Sequence, residues 1–255
     1  MGPHARLQHV VARTGVDGAV TAAPTRLRRD LAATLIAAAA LLLWDLSGWD
    51  IHVVRWFGAA QGFAWRDAWL ANTLAHQGGR AVAWLVLAAL AIDTLRPLVA
   101  GPSRRERAHG LSATLACLLL VPALKQLSHS SCPWDLAEFG GVARYVSHWQ
   151  WGVGDGGPGR CFPSGHAVAA FAFLPGYFVW RGQRPALARV WLAAVLVAGT
   201  VFGAAQLVRG AHYPSHTLWS AWLCWLACVA AFNLASRPGS RRLGAAAAPP
   251  RRQSA

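Results

Sequence analysis

Long apolar runs broken by arginine-rich segments constrain this chain more than any other feature. A run of about 15 to 20 apolar residues has to be buried, in a large core or in a bilayer, while the guanidinium groups between runs have to stay wet. Six such runs can be followed: Leu31 to about Gly48, Arg80 to about Leu95, Leu111 to Leu127, Ala167 to Trp180, Leu187 to about Leu207, and Ser215 to Leu234. The chain is 55% hydrophobic and only 13% charged over 255 residues, more apolar than a soluble domain of that size. The expected fold is therefore all-α, a six-span transmembrane helical bundle, because a helix satisfies its own backbone groups in hydrocarbon. Residues 50–79 mix Trp56, Phe57, Phe63, Trp65 and Trp69 with Arg55, Arg66, Asp67 and His76, a blend that predicts short interfacial helices.

The net charge of +14 is gathered between the runs. Arginines fall before Leu31, in the loop Gly101 to Gly110 (Arg104, Arg105, Arg107), between Arg181 and Arg189, and after Leu234, and one topology puts all four groups on the same side. The positive-inside rule makes that side cytoplasmic and places both termini there. Three segments are expected: residues 1–30 a flexible basic cytoplasmic tail, 31–235 the membrane domain, and 236–255 a second basic tail. No cleavable signal is expected, because no small-residue cleavage site follows the first run closely. Nucleic acid is excluded as a partner, since the arginines flank apolar runs instead of forming a stripe with interleaved aromatics. Trp219, Trp222 and Trp225 recur every three residues and read as a lipid-facing or packed stripe, and Cys224 and Cys228 as small core residues.

Where a long polar segment meets the fourth run stands Gly159-Arg160-Cys161-Phe162-Pro163-Ser164-Gly165-His166. Pro163 suits the first turn of a helix, and Ser164 and Gly165 leave N–H groups exposed there, so the stretch predicts a helix N-terminus able to hold an anion beside His166. Lys125 ends the third run, Ser164 and His166 open the fourth, and His212 precedes the sixth, which puts all of them on the outer face. A lysine, two histidines and exposed amides form a coherent set for phosphoryl chemistry, in which one histidine attacks phosphorus and the other protonates the leaving oxygen.

In order and spacing, Lys125 with Cys132-Pro133, the intact Pro163-Ser164-Gly165-His166, and Gly210-Ala211-His212-Tyr213-Pro214-Ser215-His216 resemble the type-2 phosphatidic acid phosphatase superfamily of integral-membrane lipid phosphatases. The resemblance implies that His212 is the nucleophile of a phosphohistidine intermediate, that His166 is the acid and base for the leaving group, and that Lys125, Ser164 and the Gly165 amide cradle the phosphate. It also implies that no metal and no other cofactor is needed. Three positions depart from the pattern. Cys132 stands where the first motif has an arginine, Gln206 where the third motif has one, and His216 where an aspartate orients the nucleophile. Arg209 and Arg160 are candidates to supply the missing cations. His216 can accept a hydrogen bond from His212, and Asp135 or Glu138 are alternative orienting groups.

The expected function is hydrolysis of a lipid phosphate or pyrophosphate at the periplasmic face of a bacterial inner membrane. The partners are then the bilayer and a phosphorylated lipid: an isoprenoid carrier, a phosphoglycerolipid or a lipid A headgroup. Two alternatives share the fold, a lipid phosphotransferase that passes the same intermediate to an alcohol, and a non-enzymatic lipid-binding or transport relative. Cys132 and Cys161 are the two cysteines that the topology places outside, in an oxidising compartment, and a disulfide between them is predicted.

Overall fold

A computed structural model describes residues 3–69 and 77–234, with side chains over 25–69 and 77–233. The tail from 236 onward and the 70–76 part of the expected interfacial region lie outside the described residues. The chain falls into two compact units, residues 1–37 with 229–255, and residues 38–228. In the first unit lie the opening stretch of helix α1 (Pro3–Ser47) and the last turns of helix α8 (Pro214–Leu234). Helix α1 begins at Pro3, so the segment expected as a tail is helical backbone from that point.

The second unit carries the rest: α2 (Trp49–Val54), a two-stranded hairpin of β1 (Gly58–Ala59) and β2 (Gly62–Phe63), α3 (Gly79–Leu95), α4 (Arg104–Gln126), α5 (Val168–Phe171), α6 (Pro175–Trp180), α7 (Pro185–Val208) and most of α8. Among the described residues four helices are long and apolar enough to cross a membrane: Thr25–Ser47 within α1, then Arg104–Gln126, Pro185–Val208 and Pro214–Asn233. Leucines such as Leu85 and Leu119 are exposed along the helices, as a protein solvated by lipid requires.

Local chemistry explains most of the boundaries. Helix α3 stops where Pro97 forces Arg96 into extended backbone at φ −131°. Helix α4 starts earlier than the apolar run does, because Ser103 and Glu106 close a capping box: Ser103 Oγ accepts from the Glu106 N–H at 3.3 Å, and Glu106 Oε2 accepts from the Ser103 N–H at 2.7 Å. Most of the expected arginine loop is thus helical. Arg107 is buried there, paired with Asp93 and lying over the Trp180 ring at 4.9 Å, which ties α3, α4 and α6 together.

The fourth apolar run is a broken helix. Pro175 cannot donate to the carbonyl of Phe171, so α5 and α6 are joined by a tightened turn in which Phe173, Leu174, Gly176 and Tyr177 bond three residues back. Trp191 Nε1 donates to the Phe173 carbonyl at 2.7 Å and holds the break against α7. The expected helix start at Pro163 is also displaced. Regular helix begins only at Val168, and residues 165–167 form a turn.

Residues 127–167 cross the end of the helices with two 3-10 turns, Pro133–Asp135 and Ala137–Phe139. Leu136, Phe139 and Ala143 pack with Ile51, Val54, Phe63 and Tyr213 into one apolar cluster. Asp155, buried, holds the segment from within by accepting from the Ser131 N–H, the Ser131 hydroxyl and the Gly157 N–H.

Candidate active site

Cys132 and Cys161 form the predicted disulfide, with Cα atoms 5.1 Å apart. Beside it, Cys161 N donates to the Ser130 carbonyl at 2.9 Å and Arg160 N to the Ser128 carbonyl at 2.8 Å, so the chain entering Pro163 is fixed on two counts. Ser164 is fully buried. Its N–H donates to the His216 carbonyl at 3.0 Å, and its hydroxyl accepts from the Ala167 N–H at 3.4 Å, as a helix cap would. Those two bonds turn Ser164 into a structural element of the turn, and leave the Gly165 N–H without a partner among the described residues. Side-chain space at Gly165 is shared with Lys125, whose Nζ would stand 3.9 Å from a Cβ placed there.

His212 arrives from the opposite side on a turn that the end of α7 dictates. Gly210, at φ 73°, lets the Ala211 N–H reach back to the Gln206 carbonyl at 2.9 Å, and a side chain there would strike the Phe63 ring. The Gly210 carbonyl accepts from Trp134 N at 2.9 Å, which joins this turn to the 133–135 turn next to the disulfide. Just after His212, α8 opens with Pro214, and buried Asp50 caps it by accepting from the Ser215 N–H at 3.0 Å and from the Ser215 hydroxyl.

The two histidines of the expected pair meet: His166 Nδ1 lies 3.3 Å from His212 Nε2. The other ring nitrogen of His212, Nδ1, lies 3.4 Å from Cys161 Sγ. In the tautomer that carries its proton on Nδ1, toward the Cys161 sulfur, the Nε2 lone pair faces His166. Burial, then the neighbouring His216, His166 and Lys125, push the His212 imidazole well below the usual 6.5. A neutral imidazole with a free Nε2 is the state a nucleophile needs.

The remaining expected residues are placed as follows. His216 is buried with its ring centroid 5.9 Å from that of His212 in an edge contact, and its Nδ1 has no hydrogen-bond partner. The contact on His212 Nδ1 is the Cys161 sulfur, not a carboxylate. Glu138 is taken by Arg55 through two bonds of 2.6 and 3.0 Å, and Asp135 Oδ2 accepts from the Cys132 N–H at 3.2 Å, so neither alternative orienting group reaches His212. Arg209 Nε donates to the Arg66 carbonyl at 2.8 Å, and Arg160 is exposed in left-handed backbone at φ 56°.

A cavity of about 500 Å³ opens beside the pair between α3, α4, α5 and α7. Its walls are mostly apolar, with Trp84, Leu87, Leu118, Phe173 and Phe202 among them, and its polar lining comes from Gly165, His166, Arg80 and Gln206. Sequence reading took Arg80 only as the edge of a span. The signal for it is geometric: the start of α3 lies level with the ends of α4 and α7.

Among the described residues two sets of side chains have metal-ligand proximity, Cys132, Cys161 and His212, and Asp45, Asp50 and His148. The thiols of the first are spent in the disulfide. In the second, Asp45 Oδ2 already accepts from Trp149 Nε1 at 2.9 Å and Trp219 Nε1 at 2.8 Å, donors that would repel a cation.

No curated protein and no solved structure matches the chain significantly. The sequence model of the PAP2 superfamily matches residues 108–239, just over half of the chain and the stretch that carries Lys125, the 163–166 turn and His212, and the chain belongs to that superfamily.

Proposed function

We propose that this protein is a membrane lipid phosphatase that hydrolyses a lipid phosphate or pyrophosphate through a phosphohistidine on His212. The superfamily suggests phosphatase-type activity, often on lipid phosphates. The observation that carries the reading is the His166–His212 pair at 3.3 Å, with His166 opening into a cavity of about 500 Å³ whose walls suit an acyl or prenyl chain.

In the first half-reaction the Nε2 lone pair of His212 attacks phosphorus, the P–O bond to the lipid breaks, and protonated His166 gives its proton to the leaving oxygen. Lys125 and the Gly165 N–H take up the charge that grows on the phosphoryl oxygens. In the second half, water attacks phosphorus, the P–N bond breaks, and His166 recovers its proton from that water. Free phosphate leaves, and His212 returns to its neutral form.

The membrane path that fits this chemistry uses six crossings, α1, α3, α4, α5 with α6, α7 and α8, with both termini cytoplasmic and the site periplasmic in a bacterial inner membrane. Arginine placement supports it. Cysteine-labelling of single exposed positions at 101 and 152 in intact cells tests it, since the two are expected on opposite sides. Purified protein offered a short-chain phosphatidic acid or an isoprenyl pyrophosphate is expected to release free phosphate. Phosphate appearing only on an added acceptor alcohol would make the protein a transferase, and neither product would make it a binding protein.

A further inference from the structure

We propose that Arg80 and Gln206 form the second wall of the phosphate cradle, lining the same cavity as Gly165 and His166, and so supply from helix α3 the guanidinium that the motif positions lack. This rests on reading the His166–His212 centre as a phosphoryl site.

The placement follows from three helix ends. Lys125 lies in the last turn of α4, Gln206 near the end of α7, and Arg80 at the start of α3. Because α3 runs opposite in direction to α4, its first turn sits level with α4's last. The ring of Phe202, one turn before Gln206, lies where a Gly79 side chain would be, so α3 and α7 touch at this level. Arg80, Gln206, Gly165 and His166 all line the one cavity.

Chemistry supports the same assignment. The Gln206 side chain is 2% exposed and its Oε1 has no hydrogen-bond partner, a state that costs free energy until a ligand answers it. A protonated phosphate oxygen or a lipid hydroxyl would donate to that oxygen; turned by half a rotation, the amide gives two N–H donors to an anionic oxygen instead. Arg80 is exposed and has no ion-pair or hydrogen-bond partner among the described residues. Its planar fork can take two phosphoryl oxygens at once, which a lysine cannot do. Arg209 Nε is bonded to the Arg66 carbonyl, Arg66 lies over the Trp134 ring at 4.8 Å, and Arg160, exposed, is not among the residues that line the cavity.

The test uses the full chain in detergent micelles with two readouts: affinity for inorganic orthovanadate, a phosphate-shaped anion, and phosphate release from an isoprenyl pyrophosphate and a short-chain phosphatidic acid. Melting temperatures confirm that Arg80→Gln, Arg80→Met, Arg80→Lys and Gln206→Leu are folded; at an exposed position one of the neutral pair is expected to be. Arg80→Gln or Arg80→Met should bind orthovanadate at least about tenfold more weakly and lose on the order of 10²-fold in kcat/KM. Arg80→Lys should recover part of both losses, and Gln206→Leu should weaken binding by less than the Arg80 variants do. Orthovanadate bound by a neutral Arg80 variant within twofold of wild type overturns the proposal, whatever the turnover. Wild type that binds orthovanadate with Arg80 dependence but releases phosphate from neither lipid removes the hydrolase reading and leaves the cradle standing. Wild type that binds no orthovanadate removes both.

Discussion

Two buried polar clusters sit among the apolar helices, and they are finished to different degrees. Around Asp45 and Asp50, donors have been brought to the carboxylates from distant parts of the chain. Asp45 Oδ2 takes the indoles of Trp149 and Trp219 with His148 Nε2 at 3.4 Å, and Asp50 takes the Trp44 indole at 2.8 Å and both donors of Ser215. Two atoms are left over, Asp45 Oδ1 and His148 Nε2, which lies near Asp45 Oδ2 without a hydrogen bond. Around His166 and His212 the valences stay open: the His216 Nδ1, the Gln206 Oε1, the Gly165 N–H and the Arg80 guanidinium all lack partners among the described residues. A cluster that serves the fold is completed by the fold, whereas one that serves a ligand is completed by the ligand.

The contrast breaks most visibly at His212. His212→Ala and His166→Ala should each cut turnover by on the order of 10⁴-fold or more and leave the melting temperature in detergent nearly unchanged, and the double variant should lose no more than the worse single one. Turnover close to wild type in His212→Ala would end the phosphohistidine mechanism. Asp50→Ala should show the reverse pattern. It strands two donors on Ser215 and one on Trp44, for a loss of about 3 to 5 kcal/mol read as a lower melting temperature. An unchanged melting curve would mean that the Asp50 cluster does not hold the fold.

The disulfide bridges the two kinds of region, because it closes a loop and touches His212. Closing a loop with a sequence separation of 29 restricts the unfolded chain by roughly 3 to 4 kcal/mol, so the Cys132→Ala, Cys161→Ala double variant should lose about that much stability, read as a lower melting temperature. It should also lose kcat more than it raises KM, since Cys161 backs His212 Nδ1 while the cavity walls stay in place. An equal loss through KM alone would assign the disulfide to the fold only.

The smallest effect is in pH. The His212 imidazole is held below 6.5 by burial first, so the unfolded chain takes up a proton near pH 6.5 while the native chain does not. Stability contributed by the neutral form is full above about pH 6.5 and declines as the pH is lowered toward the depressed native value. Accordingly the acid limb of kcat/KM that reports the nucleophile should fall below pH 6.5, and His212→Ala should melt with a weaker acid dependence than wild type. An acid limb for the nucleophile at or above 6.5 would contradict the buried, neutral assignment.

Much of the site could be read from the amino-acid order because its chemistry sits in short stretches. Lys125, the Pro163–His166 turn and His212 lie at ends of apolar runs, and the cysteine pair followed from which ends share a side. The family placement rests on those same stretches. What could not be read involves partners far apart in sequence. Arg80 lies 86 positions before His166 and looks like any charge at a span edge, and Asp45 meets Trp149 and Trp219 from 104 and 174 positions away. The stripe of Trp219, Trp222 and Trp225 was expected as packed or lipid-facing; Trp219 is packed, with its indole N–H on Asp45. The helix break before Pro175 carried a signal, the proline itself, but an apolar run around it reads as continuous.

That break has a consequence for how the protein sits in its solvent. From Val168 to Trp180 the α5 and α6 pair has 13 residues, roughly 20 Å of rise, against a hydrocarbon layer of about 30 Å. On the proposed membrane path, with its arginine-flanked end at one surface, the other end would stop short and His166 would lie on the order of 10 Å below the opposite surface. On that path a lipid headgroup would have to sink to reach it, or the bilayer to dimple around the protein, and either way the depth of the local lipid would become a variable of the proposed reaction. Reconstitution into bilayers of increasing acyl-chain length should therefore slow turnover progressively without any change in the protein.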